Sequence, residues 1–128
     1  MSKKAIFINA DLNKQWNVKN SSFDLDTINL VLEHIKELNH IFISLFSRLT
    51  KGGKCFTCEI HPKKQLNGSK LRFKINKKEF TLDTFPHSKK DYIKSVKMAD
   101  FRLLDKSDWY DNKNQIPRLI SLLFEKPI

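Results

Sequence analysis

The chain is poor in glycine and cysteine. Three Gly in 128 residues leave little from which to build a phosphate-cradling loop, which needs glycines where the backbone closes on the anion. No nucleophile elbow or metalloprotease motif is present either. Two Cys and four Pro exclude a disulfide scaffold and a proline-rich linker, and no fixed-period repeat is found. Long apolar runs are missing as well. Ala5-Ile6-Phe7-Ile8 is the whole apolar stretch before Asn9, whereas a secretory signal needs about 7–15 apolar residues and a membrane span about 20. A cytoplasmic protein with reduced thiols and no membrane contact is expected.

What is abundant is apolar bulk and positive charge. Hydrophobic residues make up 40% of the chain and ten are Phe, enough for one core in a single domain over 1–128. The formal charge is +10, and residues 51–97 hold thirteen basic against four acidic groups, so nearly all the excess lies in the middle third. A localised field of this kind attracts nucleic acid, anionic lipid or an acidic protein surface.

Hydropathy patterning suggests an α+β domain. Lys4 to Asn9 reads as a first strand, and Trp16-Asn17-Val18 as a short second strand or an extended entry segment. Leu25, Ile28, Leu32, Ile35 and Leu38 recur at three- and four-residue spacing, predicting an amphipathic helix capped by Ser22 or Asp24 and ending near Asn39. The β-branched and aromatic density of Ile41 to Leu49 predicts a strand. Lys51-Gly52-Gly53 reads as a turn, and Lys54 to Ile60 alternates with Phe56, Cys58 and Ile60 on one face and Cys55, Thr57 and Glu59 on the other. Leu71, Phe73 and Ile75 alternate with Lys70, Arg72 and Lys74, and the pattern continues through Phe80 and Leu82 across a turn near Asn76-Lys77-Lys78, as in a hairpin with one basic face. Residues 87–99 fit helix or strand equally. Phe101, Leu103 and Leu104 suggest a last strand, and Ile116 to Phe124 a closing helix with Pro117 in its first turn. The sum is an antiparallel sheet of about five to seven strands with two helices on one face.

Candidate sites are few. Cys55 and Cys58 form a C-x-x-C followed by His61, but strand alternation sends residues i and i+3 to opposite faces, so neither a metal site nor a redox pair is expected. His34, His40, Asp24, Asp26, Glu33 and Glu37 read as a solvated helix face. No catalytic residue and no cofactor is expected. The basic face is the candidate binding surface: Lys70, Arg72, Lys74, Lys77 and Lys78 cluster like charges that stability alone would not collect. Trp109 and Tyr110, in a polar stretch, are residue types that anchor interfaces.

Taken in order, Trp16-Asn17-Val18, the Ser22-Phe23-Asp24 entry to a helix, the strand series from Ile41 to Thr84 and the closing Ile116 to Phe124 resemble small immunity proteins of bacterial polymorphic-toxin and contact-dependent growth inhibition systems, over residues 16–124. The resemblance implies a cytoplasmic protein without catalysis that neutralises one cognate toxin, its basic segment facing an acidic patch on that toxin. The alternative is a small basic nucleic-acid-binding domain using the same lysines on phosphates. Single-strand binding also wants aromatic platforms on the basic face, and Phe73 alternates to the other side.

Overall fold

The computed structural model describes residues 4–63, 72–75, 77–81, 84–111 and 115–128, with side chains for all of these except 72–75 and 79–81. Its main sheet has four strands: β1 (Phe23–Asn29), β2 (Leu49–Ile60), β5 (Arg102–Trp109) and β6 (Leu119–Glu125), in the order β1-β2-β6-β5. β1 and β2 run parallel, whereas β6 is antiparallel to both β2 and β5. A separate hairpin is formed by β3 (Arg72–Ile75) and β4 (Lys78–Thr81). Helix α1 (Leu38–Arg48) makes the crossover between the parallel strands, and α2 (Lys89–Met98) precedes β5. The expected antiparallel sheet of five to seven strands is thus corrected to a four-stranded mixed sheet with one parallel pair.

Three elements differ in kind from their expectation. The stretch from Ile41 to Leu49 is mostly helix, because Leu38, Ile41, Phe42 and Leu45 face the core while Ile43 is 57% exposed. That is a 3.6-residue period, and it outweighs β propensity. Conversely, the expected helix from Asp24 is strand. Leu30 sits at φ 54°, a conformation no α-helix can pass through, and beyond it only a 3-10 turn at Leu32–His34 forms. The closing segment is strand β6, with Ile120, Ser121, Leu122 and Phe124 all buried. A central strand covered along its length reads as a nearly continuous apolar run, which periodicity alone cannot tell from a helix.

Other details follow from local chemistry. Lys51-Gly52-Gly53 lies inside β2 rather than in a turn. Gly52 takes φ +79°, and a Cβ on Gly53 would come within 2.8 Å of the Thr50 carbonyl. Lys126 Nζ donates to the carbonyls of Phe46 and Leu49 at 2.9 and 3.0 Å, satisfying acceptors that the end of α1 leaves open. The ambiguous segment resolves to α2 through a capping box: Asp91 N–H donates to Ser88 Oγ, and Ser88 N–H donates to Asp91 Oδ2 at 2.8 Å. Arg48 donates to the carbonyls of Trp16 and Val18, so Trp16-Asn17-Val18 is a pinned entry segment and not a strand. Lys4 to Asn9 also joins no strand, leaving Ile6 and Phe7 at 87% and 93% exposure.

The core lies between the helices and one face of the sheet. Phe42 and Phe101 both meet Phe124 edge-on, with centroids 5.6 and 4.8 Å apart, a favourable aromatic geometry. Tyr92 and Val96 of α2 and Cys55 of β2 complete it. Alternation turns Leu25, Phe56, Leu119 and Leu123 to the opposite face, where Leu25 is 61% exposed. Parallel pairs are usually covered on both faces; this one is covered on one among the described residues.

Candidate site at the carboxyl ends of the parallel strands

In open α/β sheets ligands bind outside the carboxyl ends of the strands, where strand direction or order changes. Here that place is the end of β1 at Asn29 and of β2 at Ile60, next to the antiparallel β6. Three fully buried polar side chains gather beside it: Glu33, Glu59 and Tyr92. Glu33 Oε2, both carboxylate oxygens of Glu59 and the Tyr92 hydroxyl have no hydrogen-bond partner. Burial pushes the Glu59 carboxyl up to about 7; the nearby Leu32 and Val31 amides pull it back without closing a hydrogen bond, and Glu33 adds repulsion. Glu33 is also raised by burial, against the pull of His34, and burial next to both acids raises Tyr92. Buried acids with raised pKa values and carboxylate oxygens left without hydrogen bonds are a feature of functional clefts.

Just past β2, His61 donates from Nε2 to Asp108 Oδ1 at 3.0 Å while its Nδ1 accepts the Lys63 N–H at 3.1 Å. These two bonds fix the neutral tautomer and occupy both ring nitrogens. Burial lowers the His61 pKa despite the Asp108 carboxylate. Asp108 also accepts Lys89 Nζ at 2.9 Å; burial would raise its pKa, but the Lys89 and His61 bonds together hold it below the usual carboxylate range. His87 Nε2 lies 2.5 Å from the Ile35 carbonyl, tying the segment before α2 to the loop after β1.

The residues expected to bind a partner lie elsewhere. Lys70 is outside the described residues. Arg72 and Lys74 are in β3, where the register sets Lys74 opposite Glu79 and interrupts the basic pattern. Lys77 and Lys78 are exposed at the hairpin turn, with Lys77 at φ 65°. Trp109 and Tyr110 are 54% and 58% exposed, and Trp109 Nε1 donates to Ser121 Oγ at 2.8 Å, so the indole lies over the open sheet face. Cys55 faces the core and Cys58 the other side, both as free thiols. Among the described residues no group of three or more His, Cys, Asp and Glu could hold a metal ion, and no helix is long and apolar enough to cross a membrane. Sequence reading missed Glu59, whose signal was a charge on the same strand face as Cys55 and Thr57.

No protein-family model matches the sequence, and no curated protein does. Solved structures do match. A S-adenosylmethionine dependent methyltransferase from Mesorhizobium loti superposes with a TM-score of 0.72 at 14% identity, over 91% of this chain and 67% of its own. A second such methyltransferase, from Clostridium acetobutylicum, gives 0.69 at 19% identity over 93% and 63%. A third structure, a methyltransferase in complex with the Haloferax volcanii Trm112 methyltransferase activator, gives 0.67 at 11% over 93% and 60%. The chain thus spans about two thirds of the length of the structures it matches. Identities this low show the fold alone, and the fold is that of S-adenosylmethionine-dependent methyltransferases. The expectation of an immunity protein, and with it the non-enzymatic toxin inhibitor and the nucleic-acid-binding alternative, is overturned by this likeness. A relative in fold forms a complex with a protein partner; no toxin partner is indicated.

Proposed function

We propose that this chain forms the acceptor side of a S-adenosylmethionine-dependent methyltransferase, with the carboxyl ends of β1 and β2 as one wall of the cleft. The observation that carries the reading is the extent of the fold likeness, which reaches across 91% of the chain. A fold hosts many activities, and support at the level of residues comes from buried carboxylate oxygens of Glu33 and Glu59 left without hydrogen bonds beside the strand ends where this architecture places ligands.

These residues do not by themselves fit the methyl donor. An adenosyl cofactor needs a backbone that closes on it, usually through glycines after a strand. The two glycines described, Gly52 and Gly53, lie at the amino-terminal part of β2, the wrong end of the sheet. The cleft beside β1, lined by Leu12, Trp16, Asp26, Asn29 and Val31 among others, encloses 230 Å³, below the roughly 300–1,000 Å³ of ligand pockets. Among the described residues the donor site is therefore incomplete. What the present residues supply is a pair of buried acids behind the strand ends: Glu59 can hold a proton near neutrality, Glu33 is raised in the same direction by burial, and the saturated His61 fixes the geometry of the β2 exit.

Equilibrium dialysis with methyl-tritiated S-adenosylmethionine tests the reading on the natural gene product carrying these residues. Saturable binding competed by S-adenosylhomocysteine is expected. No binding at millimolar donor would contradict it.

A further inference from the structure

A cavity of about 570 Å³ opens beside the β2 exit, lined by His61, Pro62, Lys63, Pro86, His87 and the first residues of α2. Its size falls in the range of small-molecule sites, and its walls are mostly apolar. Its rim is not neutral. Lys63, Lys89 and Lys90 stand on it against Asp91, and the acids nearby are already committed: Asp108 to Lys89 and His61, and Asp91 to the Ser88 amide. Lys63 and Lys90 are exposed and have no acidic partner among the described residues. The lining histidine His61 is held neutral, its pKa lowered by burial, so the surplus on the rim is the lysines'.

We infer that this cavity binds an organic anion with an apolar body, the carboxylate or similar head at Lys63 and Lys90 and the body against Pro62 and Pro86. Apolar walls with a few polar groups at one end are how small-molecule sites fix orientation, and an ammonium with no acidic partner among the described residues can pair with a ligand charge. The inference deepens the methyltransferase reading by naming the class of its acceptor. Binding itself depends only on the cavity and does not require that reading to hold.

Two probes of equal length and opposite charge, octanoate and octylammonium, test it by amide NMR titration of the protein. Octanoate should shift the amides of His61, Lys63 and His87 to Asp91 saturably, with octylammonium about tenfold weaker, since it exchanges attraction for repulsion at two lysines, about 1.4 kcal/mol in all. The double variant Lys63→Glu, Lys90→Glu keeps every core contact and should lose octanoate binding by a similar factor. Equal binding of both probes, shifts confined to the Leu25 and Phe56 sheet face, or undiminished octanoate binding by the double variant would overturn the inference. Octanoate bound as expected in a protein that fails to bind S-adenosylmethionine would uphold the site and remove only its assignment to an acceptor.

Discussion

His61 and Asp108 are 47 residues apart in sequence and joined by a 3.0 Å hydrogen bond, which ties the exit of β2 to the end of β5 across the intervening strand. Both groups have folded-state pKa values below their ordinary ones. Each favours the deprotonated form, so the stability they contribute is present above the ordinary value, near 6.5 for His61, and is lost as pH falls through the folded value. Asp108→Asn removes the one group that pulls the His61 pKa up, so it should lower that pKa further and cost about 1 kcal/mol at pH 7, a modest figure because the site is partly exposed. Histidine NMR titration and urea melts of the pair of proteins check both.

Glu59 has the opposite sign. Its pKa is pushed up to about 7, so its contribution is fully present below its ordinary value near 4.5 and is lost as pH rises through 7. Replacing it by Gln removes the ionisation cost. The variant should gain stability relative to the parent above pH 7, by an amount on the order of 1–3 kcal/mol, and show little difference near pH 5. Urea midpoints measured at pH 5 and 8.5 for both proteins give the answer, and a gain of equal size at both pH values would contradict a raised Glu59.

Helix α1 offers a test of element identity. Phe42 is fully buried and its neighbour Ile43 is 57% exposed. Phe42→Ala should cost about 3–5 kcal/mol, whereas Ile43→Lys should stay within about 0.5 kcal/mol. Thermal melts decide it. A strand with Ile41, Ile43 and Leu45 inward would reverse the two outcomes.

The uncovered sheet face makes a further prediction. Leu25 and Phe56 belong to neighbouring strands on that face and are 61% and 37% exposed. Contiguous exposed apolar surface binds dyes and promotes association, so Leu25→Lys with Phe56→Lys should lower anilinonaphthalene sulfonate fluorescence and aggregation while leaving the melting temperature within a few degrees. A collapse in stability instead would mean that the face is packed.

Parts of this structure were legible in the sequence and parts were not, for physical reasons. Alternation from Lys54 to Ile60 placed Cys55 and Cys58 on opposite faces because a half-buried strand sorts residues by parity. The same rule failed for β6, because apolar residues stand on both of its faces, with Leu119 and Leu123 opposite the core, and erase the contrast. Leu32, Ile35 and Leu38 were rightly seen as apolar and are in the core, but their helical spacing is coincidental: they lie in a 3-10 turn, a loop and the next helix. The site was the least visible. Glu33 and Glu59 are brought together by a parallel βαβ crossover, with Tyr92 of α2 beside them, and reading β1 as a helix removed that crossover. The lysine cluster of 70–78, conspicuous in composition, lies on a separate hairpin or outside the described residues.

The central claim is that these residues serve methyl transfer. The most direct measurement is mass-spectrometric detection of S-adenosylhomocysteine formed when the natural gene product is incubated with S-adenosylmethionine and a panel of apolar carboxylic acids. The account predicts that product accumulates in the presence of an acceptor, with Glu59→Gln changing its pH dependence around 7. Saturable donor binding with no product from any acceptor, unaffected by substitution at Glu59, would contradict it.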